Sequence, residues 1–244
     1  MFDKLPAYLM IFDLLLQIPA SMPDGGVIYA ETRPERFIVE PWNAYSSLAF
    51  LVPVIYWAIR LRGEYRQNTF LTVCMPLLAL GGIGSTVYHA FRSSRWLLMM
   101  DVLPIAVLTL AVSLYFWWRV LPHWGYVFMV AAASLLMRFT AFDLFNGQTA
   151  VNLAYLINGT TLFLPALLLL SKTGYRGWID IVVATVFFIL ALVFRKVDDR
   201  FEWMTMGTHW LWHICTATGV FFLAEYLYLI NHLLPVRKRR EEMA

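Results

Sequence analysis

Residues 84–101 read GSTVYHAFRSSRWLLMMD, and this stretch joins the end of one long apolar run to the start of the next. It contains Ser85 and His89, which are four residues apart and therefore share one face of a predicted helix. Asp101 follows just beyond a short polar turn. Ionisable residues inside apolar segments are costly and usually have a function. The stretch therefore predicts two membrane helices joined by a tight turn, with a polar site at the end where they meet.

The composition of the whole chain is typical of a membrane protein. Of its 244 residues 60% are hydrophobic and 14% are charged, and its mean hydropathy is +0.64. A soluble domain carries roughly a quarter charged residues. The net charge of +3 is modest, and the basic tail at residues 237–240 is typical of a cytoplasmic end near anionic lipid, so we expect no nucleic-acid partner. Cys74 and Cys215 lie in apolar runs, which favours buried free thiols.

Seven segments are long and apolar enough to cross a bilayer, which predicts an all-α membrane protein, a seven-transmembrane-helix bundle. The predicted spans are residues 42–61, 70–91, 96–118, 122–142, 149–170, 177–195 and 205–234. Short connections make neighbouring helices antiparallel. We divide the chain into an N-terminal interfacial or extracytoplasmic segment (1–41), a membrane domain (42–234) and a basic cytoplasmic tail (235–244).

A second polar cluster, His209 and His213, lies at the start of the seventh predicted helix with i,i+4 spacing. In an antiparallel bundle of seven, the end of helix 2 and the starts of helices 3 and 7 lie at the same side of the membrane. His89, Asp101 and the two later histidines are therefore expected at one depth. The basic tail favours an N-out/C-in orientation, with the site in the extracytoplasmic or lumenal half; the loop charges leave the reverse orientation open.

Three neutral imidazoles form a familiar zinc ligand set that leaves a fourth position for water. By residue type and position, Asp101 could act as the base for that water, and Ser85 could stabilise a developing oxyanion. His123 and His232 lie at the other side of the predicted bundle and are weaker candidates.

These motifs together resemble the alkaline ceramidases and the wider CREST superfamily of seven-helix membrane hydrolases. The matching residues are Ser85-xxx-His89, Asp101-Val102-Leu103-Pro104 and His209-xxx-His213, and the segment 40–48, EPWNAYSSL, resembles the one that opens the family's first helix. The resemblance implies that His89, His209 and His213 bind zinc. It further implies that Asp101 acts as base and that Ser85 stabilises the oxyanion.

The resemblance also implies hydrolysis of the amide of a ceramide-like lipid, giving a fatty acid and a sphingoid base, with Trp212 and Tyr155 lining the substrate pocket. The animal enzymes carry an Asp-Trp-x-Glu-x-Asn calcium motif before helix 1. Here the corresponding residues 29–34 read YAETRP, which leaves Glu31 and Glu40 as candidate calcium ligands. We expect the bilayer and its lipids, rather than an obligate protein partner, to be the surroundings of the chain.

Two other functions remain open at the level of sequence. The same zinc chemistry would serve a lipid esterase or phospholipase of the superfamily, which cleaves an ester in place of an amide. A receptor-like seven-helix protein would instead hold a structural zinc, and a fourth protein ligand that closes the site would favour it. A transporter would carry charged pairs or broken helices near the midplane of both halves, and the sequence lacks that symmetry.

Overall fold

The structure is a computed structural model that describes residues 22, 24–145, 147–200 and 203–234. Seven membrane-length helices run through these residues, each long and apolar enough to cross a bilayer. Their bounds are α1 Pro41–Arg60, α2 Thr69–Phe91, α3 Arg95–Val120, α4 Trp124–Leu144, α5 Gly147–Lys172, α6 Trp178–Lys196 and α7 His209–Leu233. The predicted seven-helix membrane bundle is thus confirmed. Residues 1–21 and the tail 235–244 lie outside the described residues, so the predictions made for them stay predictions.

Two helices differ from the predicted spans for local reasons. The first contains a 3-10 turn at Leu48–Phe50, ahead of Pro53, whose ring cannot donate a hydrogen bond to Ala49 and crowds that carbonyl. The seventh begins at His209 rather than at residue 205, because Gly207 adopts a positive φ of 62° and the Asp198 carboxylate accepts the first free backbone N–H groups of the helix. His209 is therefore the first residue of α7.

The bundle packs around an apolar core that draws on six of the seven helices. Its largest fully buried side chains include Trp57 of α1, Phe116 of α3 and Tyr226 of α7. Helix α6 packs mainly on α7, and α2 mainly on α3, while α4 lies at the periphery against α5. Cys74 and Cys215 are buried free thiols, as predicted. Large apolar side chains such as Phe128 and Leu136 of α4 are exposed, as expected for a surface that faces lipid.

Helices α2 and α3 approach each other most closely beside the predicted site. A Cβ atom placed on Gly84 would lie 2.1 Å from the backbone oxygen of Met100, so only glycine fits there. Ser85 follows Gly84, and Asp101 follows Met100. The contact of the two backbones therefore sets the distance between the serine and the aspartate.

The residues before α1 fold over the end of the bundle where this contact lies. The backbone N–H groups of Val39 and Glu40 donate to the carbonyls of Ala90 and His89, at 2.9 and 3.1 Å. They satisfy carbonyl groups that the end of α2 leaves without partners. The described part of the N-terminal segment, residues 24–40, is therefore a loop held against the helix ends.

Candidate metal centre

The three histidines of the two sequence motifs meet at one end of the bundle. Each of His89, His209 and His213 offers a ring nitrogen, and these three atoms lie within 4.8 Å of one another. The ring centroids are 4.8 to 5.5 Å apart, and each residue is at most 3% exposed. The topology predicted this convergence, and the structure shows a buried group of three nitrogen donors that could hold a metal ion.

His89 is oriented by an acid of the N-terminal loop. Its Nδ1 donates to Glu40 Oε2 at 2.5 Å, and both side chains are buried. Because Nδ1 carries the proton, the Nε2 lone pair is left for a metal. A carboxylate behind a ligand histidine fixes the ring and raises its basicity.

His213 is oriented by two serines of α1. Its Nδ1 lies 2.8 Å from Ser46 Oγ and 3.3 Å from Ser47 Oγ. Both hydroxyls donate to the Asn43 carbonyl, at 3.1 and 2.8 Å, so the imidazole is the donor to Ser46. This assigns the proton of His213 to Nδ1 and again leaves Nε2 unprotonated.

His209 is fixed through its backbone and its ring face. Its N–H donates to Asp198 Oδ1 at 2.7 Å, and Tyr29 stacks on its ring at a centroid distance of 3.8 Å. The Nδ1 atom is buried and has no hydrogen-bond partner among the described residues. A buried polar atom without a partner is costly. A metal ion held by the three rings would fit this donor set, although the geometry does not identify which metal.

Asp101 and Ser85 lie beside the histidines. Ser85 is 2% exposed, and its hydroxyl donates to Ser47 Oγ at 2.9 Å, because the Ser47 hydrogen is given to Asn43. Asp101 interacts electrostatically with His89. Its own side chain is only half-buried. Ser85 is thus joined to His213 through Ser47, while the roles predicted for Ser85 and Asp101 stay predictions.

A buried ion network behind His89 ties the loop to the end of α2. Arg92 Nε donates to Asp24 Oδ2 at 2.8 Å, and its Nη1 donates to Glu40 Oε1 at 2.5 Å. Burial would raise the pKa of Glu40, but the hydrogen bond from His89 and the positive charge of Arg92 together hold that pKa below its ordinary value. Breaking such a buried pair costs about 3–5 kcal/mol.

Arg92 adopts the left-handed backbone conformation that ends α2, with φ 46°. This conformation costs a residue other than glycine about 1–2 kcal/mol. The two acids that receive its guanidinium offset that cost and hold the turn in place.

The candidate calcium ligands have other partners in this structure. Glu31 accepts hydrogen bonds from the backbone N–H groups of Trp42 and Asn43, at 2.5 and 2.9 Å. Burial raises the pKa of Glu31 above its ordinary value, against the opposing effect of those two donors. Glu40 accepts hydrogen bonds from His89, Arg92 and Thr32, the last at 2.5 Å. Both acids act here as hydrogen-bond acceptors, so calcium binding stays a prediction that this geometry does not support.

The two predicted pocket residues, Tyr155 and Trp212, contact each other, and Trp212 also lies beside His209. Tyr155 of α5 and Trp212 of α7 contact each other edge to face, with ring centroids 5.7 Å apart. The Trp212 ring runs parallel to that of His209, at 6.4 Å and 8°. Trp212 thus lies beside a candidate metal ligand and Tyr155 lies against Trp212, while their role as pocket residues stays a prediction.

Several residues of the centre escaped the sequence reasoning. In the sequence, three of these residues look like ordinary charged loop residues: Asp24, Arg92 and Asp198. The sequence indicates only a calcium-binding role for Glu40. The missed signal was the position of Arg92, between the histidine motif and the next span, with acids in the loop before α1. Ser46 and Ser47 belong to the segment that resembled the family, but their contact with His213 depends on how α1 packs.

No protein-family model matches this chain, and no solved structure matches it either. The resemblance to the alkaline ceramidases therefore remains a prediction from the motifs.

Proposed function

We propose that the chain is an intramembrane zinc-dependent amidase that hydrolyses ceramide-like lipids to a sphingoid base and a fatty acid. One observation carries the proposal: three buried imidazoles converge on one point, at the end of the bundle where the close contact of Gly84 with Met100 brings Ser85 and Asp101 together. Nitrogen donors in a set of three are the ligands of catalytic zinc sites. A zinc ion bound there would supply a Lewis acid that polarises the scissile carbonyl and activates water at neutral pH.

The protein's own groups have separate roles in this scheme. Asp101 accepts a proton from the attacking water and returns it to the nitrogen of the leaving amine as the C–N bond breaks. Ser85 donates toward the oxygen on which negative charge develops. Glu40 and Ser46 keep His89 and His213 in the tautomer that presents Nε2 to the centre.

An apolar cavity next to the centre supports a lipid as the substrate. It has a volume of about 100 Å³ and lies between α1, α2, α3, α5 and α7. Phe50 lines this cavity and also contacts the ring of His213, at a centroid distance of 6.3 Å. The space is large enough for part of an acyl chain, and its position would keep a carbonyl at the head of that chain close to the histidines.

The test is lipid hydrolysis by detergent-purified protein, with metal content measured on the same sample. Wild type is compared with His213→Ala and Asp101→Ala on matched amide and ester lipids. We expect about one zinc per chain, amide turnover, loss of metal in His213→Ala and retention of metal without turnover in Asp101→Ala. His232→Ala is the matched control, because its side chain is exposed and lies at the other end of α7 from His209 and His213.

Each other outcome assigns a different function. Turnover of the ester alone would replace the amidase by a lipid esterase with the same residues. One zinc per chain without turnover of any lipid would favour a receptor with a structural metal. A protein that binds no zinc would refute all three.

We also propose that the centre faces the extracytoplasmic or lumenal side, with the basic tail in the cytoplasm. The tail's run of basic residues supports this orientation. A C-terminal reporter that is active only in the cytoplasm would be active in cells if the proposal is right, and a reporter active only outside would then be silent. The reverse pattern would place the centre in the cytoplasmic half.

A further inference from the structure

An arginine of α6, Arg195, lies against Tyr155 and Trp212 and forms no ion pair in the described part of the chain. The Arg195 Cζ atom is 5.1 Å from the ring centroid of Tyr155 and 5.3 Å from that of Trp212. Its side chain is half-buried, whereas that of the adjacent Lys196 is exposed. Because Trp212 lies parallel to His209, the guanidinium is one aromatic ring away from a candidate metal ligand.

Of the two acids near Arg195, one accepts backbone hydrogen bonds and the other lies beyond ion-pair distance. In the part of the chain that the structure describes, Arg195 forms no ion pair and no hydrogen bond, whereas Arg92 has two carboxylate partners. Asp198, three residues further on, accepts from the backbone N–H groups of Ala30, Thr208 and His209. Asp101 interacts with Arg195 electrostatically, but the two are beyond ion-pair distance.

A second arginine adds to the positive charge around Tyr155. Arg138 of α4 interacts electrostatically with Tyr155 and donates to Asn158 Oδ1 at 3.2 Å. Its Nε atom is buried and has no hydrogen-bond partner among the described residues. Arg138 thus contacts α5 one turn away from the tyrosine that Arg195 touches, and neither arginine forms an ion pair in the described part of the chain.

Uncompensated cations in a membrane segment are expensive and commonly mark a binding site. Contact with aromatic faces offsets only part of the cost. Guanidinium groups pair best with phosphate and carboxylate, through two parallel hydrogen bonds. A neutral lipid headgroup would leave Arg195 unpaired, whereas an anionic headgroup would neutralise it.

We propose that Arg195, assisted by the positive charge of Arg138, binds the phosphate of a lipid headgroup beside the metal centre. The preferred substrates are then lipid amides that carry a phosphate rather than neutral ceramides. This inference rests on the proposed function and narrows its substrate class. Phosphate is favoured over carboxylate because it offers enough oxygens for two arginines, while a single carboxylate is matched by one.

The experiment compares two lipid amides with the same chains, one with a hydroxyl headgroup and one with a phosphate monoester, in neutral detergent micelles. Wild type should show a kcat/KM at least about 10-fold higher for the phosphate lipid, since a charge-assisted pair is worth that much. Arg195→Gln should bring the ratio to about one. Arg195→Lys should keep part of the preference for the phosphate lipid, because lysine keeps the positive charge but lacks the two parallel N–H donors of a guanidinium. Lys196→Gln is the control and should keep the wild-type ratio.

Binding of the phosphate lipid to chelator-treated protein separates this inference from the proposed function. If that binding depends on Arg195 but no lipid is hydrolysed, the phosphate site stands and the hydrolase proposal fails. If both lipids are hydrolysed equally by wild type, the hydrolase proposal stands and the phosphate site is refuted. The ratio of kcat/KM between the two lipids in wild type tests the phosphate site even if Arg195→Gln does not fold.

Two further ligands identify the source of the anion. Inorganic phosphate should compete only weakly with the phosphate lipid, because it lacks the chain that the pocket would hold. A fatty acid should bind less tightly than the phosphate lipid. If inorganic phosphate or the fatty acid bound as tightly as the phosphate lipid, the assignment to a lipid phosphate would be wrong.

Discussion

The substitution Glu40→Gln tests whether the N-terminal loop controls the metal centre. Both oxygens of Glu40 accept hydrogen bonds: Oε2 from His89 Nδ1 at 2.5 Å and from Asn43 Nδ2 at 3.4 Å, and Oε1 from Thr32 and Arg92, each at 2.5 Å. A glutamine has one oxygen and one NH2 group. Whichever way its amide turns, one pair of donors will face another donor.

The size of the effect follows from which pair loses its acceptor. If the amide oxygen stays on Arg92 and Thr32, His89 loses the carboxylate behind it, and such a loss typically weakens metal binding 10- to 100-fold, or about 1.4–2.7 kcal/mol. If the oxygen turns to His89, Arg92 keeps only Asp24 and a buried charge loses half its compensation. That cost approaches the roughly 3–5 kcal/mol of a broken buried pair and appears as lost stability.

The assay is a zinc competition titration against a chelator of known affinity, with thermal unfolding of the same samples in the presence of excess zinc. We expect Glu40→Gln to weaken zinc binding, to lower the melting temperature, or both. Glu35→Gln, on an exposed part of the same loop, is the matched control. If Glu40→Gln binds zinc and melts as wild type does, the orienting role of Glu40 is refuted.

Three other substitutions or treatments test the site. Ser85→Ala should lower kcat by about 10²–10³ with zinc content unchanged, the loss expected for an oxyanion donor; an unaltered kcat would exclude that role. Gly84→Ala should push Met100, and with it Asp101, away by about 1 Å, which can cost 10²-fold in rate; turnover equal to wild type would show that the helices adjust freely. Zinc at 1,000 times its Kd should stabilise wild type by about 4 kcal/mol and His209→Ala far less, as read by thermal melts with and without chelator; equal shifts would place the metal elsewhere.

The fold could be predicted from the sequence because bilayer thickness restricts the length of each helix and short loops make neighbouring helices antiparallel. Seven apolar runs of about 20 residues predict seven helices, and the structure differs mainly at their ends. The start of α7 was missed by four residues because it depends on Asp198 and Gly207, which belong to the preceding loop. Such a cap is a tertiary feature, and hydropathy alone does not detect it.

The three histidines could be predicted from the sequence, but the residues that orient them could not. His89, His209 and His213 stand out as ionisable residues at matching depths of apolar runs. Glu40 and Arg92 lie outside the spans, where charged residues are ordinary, and nothing in their spacing shows that they are buried against each other. The sequence thus predicts which residues reach the centre, whereas packing decides which residues orient them.

The hydrogen bonds and ion pairs of the surrounding acids favour Asp101 as the reactive carboxylate. Asp24 pairs with Arg92, and Glu40 serves both Arg92 and His89. The carboxylates of Glu31 and Asp198 accept from backbone N–H groups.

Each of these four acids, Asp24, Glu31, Glu40 and Asp198, would have to break a hydrogen bond or ion pair that holds the fold in order to take a proton from water. Asp101 forms no ion pair among the described residues and accepts from no backbone N–H group there, and its side chain is only half-buried. A carboxylate that holds no part of the scaffold can accept a proton donor without breaking it. The acids that hold the loop in place thus leave Asp101 as the one beside the histidines that is available for chemistry.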